Sequence, residues 1–376
     1  MLAAYVSGHG WGHLTRLAEV LREVRARAPA LPVTVVGRVP APLVRRAVAG
    51  PLALRPVDCD VGLAQRDALD IDEPATAVRC RAFEAGWEAR VEAEAAFLRA
   101  QGARAVLADV PPLAFAAAAR AGIPSVGLGN FSWDWIYRHL AAREPSLEGS
   151  ARIATRAYRE AALFLALPFE GDLSAFPRRE RVGFVARRPR VGRLEARRRL
   201  GLDGRPAALL SFGGVGLPAL GPGILGREAA GAIRWVFPEE LPAERLDALG
   251  LDYPDVVGAV DVVVTKPGYG IVSDAIAAGT RLVYTERGDF PEYPVMVREM
   301  GRWLACLHVP RAELLAGRLA GPVRRALAMP VPPPPDLGGA ARAAERILDF
   351  AGRARSRPAA APAEAPPRPL DRGSGS

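Results

Sequence analysis

Lys266-Pro267-Gly268-Tyr269-Gly270-Ile271-Val272-Ser273-Asp274 decides how the chain is read. It follows the apolar run Asp261–Thr265, with valines at 262, 263 and 264, and precedes Ala275–Ala278, which has helical composition. A Gly-rich turn from a buried strand into a helix directs unpaired N–H groups and the positive end of the helix dipole at one point, which favours a phosphate. Lys266 stands just before the turn and is the only lysine among 50 Lys+Arg residues. Where nearly every cation is arginine, one lysine suggests a place for a compact ammonium and not a planar fork. An accidental lysine in a tight turn is the plainer alternative.

A second turn of the same kind opens the chain. The apolar run Leu2–Val6 is followed by Ser7-Gly8-His9-Gly10-Trp11-Gly12-His13 and by a helix with Leu14, Leu17, Val20, Leu21 and Val24 at helical spacing. It is not a dinucleotide fingerprint, because no acidic residue ends the next strand, Val33–Val39. His13 falls at the helix N-terminus, where the dipole favours the neutral base. His9 is the rival base. The pair could also be read as metal ligands, but no Cys or carboxylate accompanies it.

Strands and helices alternate between and beyond these turns, which predicts two doubly wound α/β domains. Strands are expected at 52–57, 105–110, 125–129, 163–167, 207–212, 232–237, 261–265, 281–285 and 303–309, with one long helix over 74–101. The expected boundaries are 1–176 for an N-terminal domain and 177–204 for a Pro- and Arg-rich linker. A C-terminal domain over 205–335 follows, then a helix at 336–353 packing back on the first domain, and a disordered tail at 354–376. At 376 residues, two domains fit the usual domain size.

Composition narrows the function classes. The chain is 50% hydrophobic and 24% charged, ordinary for a soluble globular protein. Its net charge of +9 comes from scattered arginines with little aromatic interleaving, which argues against nucleic-acid binding. A mildly basic surface suits anionic substrates or membrane headgroups. Cys59, Cys80 and Cys306 have neither metal-ligand nor disulfide-framework spacing. No signal peptide or apolar run near 18 residues appears, so a cytoplasmic protein is expected.

Polar residues at strand ends are the site candidates, because open α/β sheets bind ligands there. Asp109 ends one strand; Asn130-Phe131-Ser132-Trp133-Asp134-Trp135 follows another. Helix capping is the alternative role for both aspartates. Ser211-Phe212-Gly213-Gly214 ends the first strand of the second domain. Asp274, in the first helical turn after Gly270, suits ribose hydroxyls, or simply complements the helix dipole. Asp289 and Glu292, in Glu286–Tyr293, suit sugar hydroxyls, or belong to a solvated loop.

These motifs, in this order, resemble the glycosyltransferase-like domain of L-arabinokinases, within the GT-B superfamily. They are Ser7–His13 with Arg16, Asp60–Leu69, Asn130–Tyr137, Ser211–Gly214, Lys266–Ala275 and Val283–Phe290, and the resemblance covers roughly residues 1 to 350. Asp274 stands where Glu is expected and Ile271 where Thr is common. No kinase module follows, so arabinokinase activity is not implied. The resemblance implies two Rossmann-like domains facing across a cleft. It implies a metal-independent, inverting glycosyltransferase without a cofactor, using a nucleotide-diphosphate sugar and a small-molecule or lipid-linked acceptor. Lys266, Gly268, Tyr269, Gly270 and Ser273 would hold the pyrophosphate together with Gly213 and Gly214, Asp274 the ribose, and Asp289 and Glu292 the sugar. His13 would act as base, with His9 as its rival and Asp109 or Asp134 as orienter. A catalytically silent nucleotide-sugar or sugar-phosphate binder, or a nucleotide-sugar 2-epimerase, are the alternatives on the same architecture.

Overall fold

The structure, a computed structural model, describes residues 1–353 apart from 10, 49, 51, 214–224 and 226–230. Gly214 and the expected tail therefore lie outside the described residues. Twelve strands are present among the described residues: β1 Leu2–Val6, β2 Val33–Val36, β3 Ala53–Arg55, β4 Ala105–Asp109, β5 Ser125–Gly129, β6 Leu163–Ala166, β7 Arg179–Arg181, β8 Ala207–Ser211, β9 Arg234–Val236, β10 Val262–Thr265, β11 Arg281–Tyr284 and β12 Cys306–His308. The helices are α1 Trp11–Arg27, α2 Ala41–Ala47, α3 Glu73–Glu84, α4 Trp87–Ala100, α5 Pro112–Ala121, α6 Trp133–Leu140, α7 Leu147–Tyr158, α8 Arg193–Leu200, α9 Ala243–Ala248, α10 Tyr253–Ala259, α11 Tyr269–Ala278, α12 Glu292–Met300, α13 Arg311–Leu315, α14 Ala320–Leu327 and α15 Gly339–Arg353.

The strands form two sheets, ordered β3-β2-β1-β4-β5-β6-β7 and β12-β11-β10-β8-β9. Every pairing is parallel. Parallel strands covered by helices on both faces must be apolar along their whole length, and β1, β4, β8 and β10 are buried throughout. Each sheet reverses its strand order once, between β1 and β4 in the first and between β8 and β10 in the second. Such switch points open a crevice beyond the strand ends, because the flanking helices leave to opposite faces. Both Gly-rich turns, after β1 and after β10, emerge at these two crevices.

The structure corrects several expected elements. The helix expected over 74–101 is two, because the chain breaks at Ala85–Gly86, where Gly86 leaves helical geometry (φ −106°, ψ 18°). The first helix starts at Glu73, with the Asp72 carboxylate accepting the Ala75 N–H at 3.0 Å. The segment expected as a linker ending in a short helix near 194–200 also contributes β7 to the edge of the first sheet, while that helix, α8, packs beside α10. Nine of the expected strands are shorter in the structure: the runs 33–39, 52–57, 105–110, 163–167, 207–212, 232–237, 261–265, 281–285 and 303–309 each lose residues at their ends.

The chain returns to its beginning. Helix α15 packs on α1, burying Ala343, Ala344, Ile347 and Ala351. Its first residue must be glycine, since a Cβ on Gly339 would stand 2.5 Å from the Phe184 carbonyl oxygen. The domains also touch through a small hairpin in the 58–72 loop, closed by the Gln65–Ile71 bridge and the Arg66 N–H to Asp70 O bond of 3.0 Å. Ala68 and Leu69, at its tip, are fully buried in the apolar cluster that also contains Leu210, Phe212 and Val264 of the second domain. Asp70 receives both Arg311 Nη groups, at 2.8 and 2.7 Å.

Candidate active site

The two turns meet. A methyl on Gly270 would stand only 3.8 Å from the Gly12 Cα, so the N-termini of α11 and α1 approach almost backbone to backbone. The β1–β4 register pairs Val6 with Asp109, and the Ser7 N–H extends the ladder to the Asp109 carbonyl at 2.9 Å. His13, in the first turn of α1, thereby faces the end of β4. Its Nδ1 lies 2.7 Å from Asp109 Oδ1, and both groups are buried. This is the orientation a general base needs: one ring nitrogen held by a carboxylate, the other free to take a proton.

Asp109 has a second partner that the motif reading left without a role. Arg16, one turn after His13, donates Nε to Oδ2 at 2.7 Å and Nη2 to Oδ1 at 2.6 Å. Burial alone would raise the Asp109 carboxyl, but Arg16 and His13 outweigh it and hold it below the usual carboxylate range. Arg16 also donates Nη1 to Asn130 Oδ1 at 2.9 Å, and its guanidinium lies 4.9 Å over the Tyr269 ring of the second domain. Asn130 Nδ2 crosses the cleft to Glu292 Oε1 at 2.7 Å, and Arg287 approaches Glu292 Oε2 at 3.3 Å. His13, Asp109, Arg16, Asn130, Glu292 and Arg287 thus form one polar chain across both domains.

The other expected catalytic residues are placed differently. His9 accepts the Leu63 N–H at Nδ1 (3.1 Å) and sits edge-on to Trp133, with ring centroids 5.2 Å apart. Burial above all, with Arg287 and Lys266 nearby, pushes it down to about 3, so it is a weak base near neutrality. Gly62 makes room for it: a Cβ there would fall 2.4 Å from His9 Cβ. Asp134 is not an orienter of His13. Its carboxylate accepts from Ser132 Oγ at 2.5 Å, Arg138 Nη2 at 2.8 Å and Thr155 Oγ1 at 3.1 Å, tying α6 to α7. Asp60 instead lines the first turn, accepting from Gly8 N at 3.3 Å and Trp133 Nε1 at 2.9 Å.

At the second turn, the Lys266 ammonium has no ion-pair or hydrogen-bond partner among the described residues, while its carbonyl accepts from Thr265 Oγ1 at 2.9 Å. Burial, with Arg287 nearby, pushes the ammonium down to about 7. Gly213 has φ +77°, and among the described residues no atom lies within 4 Å of a Cβ built there. Gly268 caps α11 in extended geometry (φ −153°). Tyr269 is buried, with its hydroxyl accepting the Val185 N–H at 3.0 Å, so its side chain holds the interdomain segment rather than facing the cleft opening. Ser273 Oγ is bonded within its helix to Gly270 O at 2.9 Å.

The three carboxylates expected to receive ribose and sugar hydroxyls all hold protein groups. Asp274 is ion-paired with Arg187 and also receives the Arg187 N–H at 3.3 Å; burial raises its carboxyl more than Arg187 lowers it. Asp289 reaches back to the first domain, to His139 Nε2 at 2.9 Å and to Arg143. Glu292 is buried between Asn130 and Arg287.

The space between the turns is small: a cavity of about 10 Å³ lined by Arg16, Glu19, Tyr269, Gly270, Ser273 and Asp274 among others. A larger concavity of about 240 Å³ lies beside the start of α10, between Arg190 and Asp247, Asp252 and Asp255. Its carboxylates suit hydroxyl or amine donors better than phosphate. Among the described residues no three His, Cys, Asp or Glu side chains gather as metal ligands, and no helix is long and apolar enough to cross a membrane.

No family model matches the sequence. The L-arabinokinase of Arabidopsis thaliana is 32% identical over 343 residues, covering 88% of this chain and 32% of that protein. The chain therefore spans about a third of the length of this curated relative. Solved structures superpose over nearly the whole chain. A UDP-glucosyltransferase from Polygonum tinctorium, able to glucosylate indoxyl, matches with TM-score 0.58 at 14% identity, covering 93% of this chain and 98% of its own. The glycosyltransferase of kitacinnamycin matches with TM-score 0.57 at 19% identity, covering 94% of each chain. The Arabidopsis thaliana UGT89C1 complexed with UDP matches with TM-score 0.55 at 14% identity, covering 92% and 94%. The chain has the GT-B fold, two Rossmann-like domains facing across a cleft, and over most of its length it resembles an L-arabinokinase.

Proposed function

We propose that the protein is a glycosyltransferase that moves a sugar from a nucleotide-diphosphate sugar to an acceptor hydroxyl, without a resident metal and with inversion at C1. The observation that carries this is the opposition of the two switch points. A buried His13–Asp109 pair stands on one side, and on the other, at the start of the facing turn, stands the enclosed Lys266 ammonium, without an ion-pair partner among the described residues. His13 Nε2 takes the proton of the acceptor hydroxyl while Asp109 holds Nδ1–H. The acceptor oxygen bonds to C1 as the C1–O bond to the diphosphate breaks. Lys266 and the α11 N-terminal N–H groups receive the charge that develops on the departing diphosphate. The acceptor is a small molecule or a lipid-linked hydroxyl at the first domain.

A second reading has its own support. Asp274, Asp289 and Glu292 are each held by the protein's own groups, which favours a catalytically silent binder of a nucleotide sugar or sugar phosphate. UDP-, GDP- and dTDP-sugars incubated with candidate acceptors separate the two. Transfer or hydrolysis that drops about 100-fold or more in His13→Ala supports the transferase. Binding without turnover indicates the binder, and mass-neutral isomerisation indicates the 2-epimerase. Absence of any thermal shift with UDP, GDP or dTDP removes the donor site itself.

A further inference from the structure

We propose that Arg16 is a positioning residue that allows Asp109 to orient His13 while leaving its imidazole uncharged. A buried carboxylate facing a single imidazole draws a proton onto it, because an uncompensated buried charge costs several kcal/mol. The resulting imidazolium is held in the right place but has no lone pair with which to accept a proton. Asp109 faces two partners. Arg16, which stays protonated under all ordinary conditions, covers both carboxylate oxygens at 2.7 and 2.6 Å, and His13 shares one of them at 2.7 Å. His13 therefore faces a neutral Arg16–Asp109 pair in place of a bare anion.

The other charged groups around His13 do not replace Arg16. Asp60 faces it from the 58–72 loop, but burial raises that carboxyl, and the Gly8 N–H and Trp133 Nε1–H satisfy it. His9 faces it from its own turn and is held neutral by burial, with Arg287 and Lys266 nearby. Phe131 and Trp133 supply apolar walls. From the second domain, Lys266 and Arg287 act on His9, and Glu292 acts on Arg16.

Arg16 is itself fixed from both domains. Asn130 Oδ1 receives its Nη1 at 2.9 Å, and that amide is orientated by donating to Glu292 at 2.7 Å. The Tyr269 ring backs its guanidinium at 4.9 Å. The His13 environment is therefore complete only when the second domain is in contact.

The inference rests on His13 as the base, but its test needs no turnover. The chain has four histidines, so their ring nitrogens can be resolved by ¹⁵N NMR, with His13→Asn as the assignment control. Wild-type His13 is expected neutral at pH 7, with the proton on Nδ1. In Arg16→Gln it is expected doubly protonated at pH 7, with its titration at least about tenfold higher in proton affinity. Arg16→Lys keeps the charge and is expected to leave His13 neutral. An unchanged, neutral His13 in Arg16→Gln overturns the proposal. If that variant does not fold, a charged His13 in Arg16→Lys overturns it instead. An inactive wild type with the expected NMR behaviour would count against the transferase alone; an active enzyme with an unchanged His13 in Arg16→Gln would count against Arg16 alone.

Discussion

The two switch points are built from the same parts and finished in opposite ways. At the first, after β1 and β4, each polar side chain of the network has a partner: His13 on Asp109, Asp109 on Arg16, Arg16 on Asn130. At the second, after β10, the Lys266 ammonium is enclosed without an ion pair among the described residues, and the two acids that act on it hold other groups: Asp67 the Leu69 and Asp70 N–H groups, Glu292 the Asn130 amide and Arg287. Buried polar groups that satisfy one another give a rigid, preorganised site. An enclosed ammonium left alone raises the free energy of the empty protein and is relieved when an anion arrives. The first crevice is therefore suited to chemistry and the second to binding.

Removing the central charge of the first crevice should break that contrast most visibly. Asp109→Ala leaves Arg16 buried without its carboxylate and is expected to cost about 3–5 kcal/mol, measured by urea unfolding. A loss under about 1 kcal/mol would mean that the network contributes little.

Lys266 should behave in the reverse sense. Its folded-state value near 7 lies below the ordinary value of 10.5, so between these limits the unfolded chain binds the extra proton. Stability from this group is then lowest at pH 7 and below, and rises with pH towards 10.5. Relative to Lys266→Met, the wild type is expected to gain roughly 2 to 4 kcal/mol between pH 7 and 10 in ligand-free protein. Parallel pH curves for the two proteins would remove the idea of an unmet charge. Lys266→Met is also expected to lose the thermal shift produced by a nucleoside diphosphate.

Two smaller effects sharpen the comparison at its borders. Gly62 has φ +63° and abuts His9, so Gly62→Ala is expected to cost roughly 1 to 3 kcal/mol and displace the ring, followed by thermal denaturation and the His9 NMR signal. Asp70→Ala removes the half-exposed bidentate pair with Arg311 and is expected to cost only about 0.2–1 kcal/mol, because solvent screens such pairs.

The fold was legible because its signals are local. A short β-branched run such as Val262–Val264, closed by Pro267 and Gly268, reads as a buried strand, and a Gly-rich turn before a helix marks a strand end. β7 escaped notice because Arg179–Arg181 is a charged edge strand with no apolar signature. The site was legible as to its turns and less so as to its pairings. Arg187 lies 87 residues from Asp274, and Arg143 146 residues from Asp289, distances over which sequence gives no sign of contact. Arg16 was named with the first turn but given no role for another reason: in a chain so rich in arginine, one that is buried looks like those that are not. Asp134 could have been set aside, since Arg138 follows at the i, i+4 spacing of a helical ion pair.

Helix α15 has a consequence for how the chain comes into being. It covers α1, which is synthesised well before it, yet it is not made until residues 339–353 appear. Domains usually fold as units, the N-terminal one first during synthesis. Here the first domain must wait, with the apolar side of α1 uncovered, while the whole second domain is synthesised. Truncation before Gly339 would leave a protein with every residue of its candidate site but an exposed seam along α1, prone to self-association.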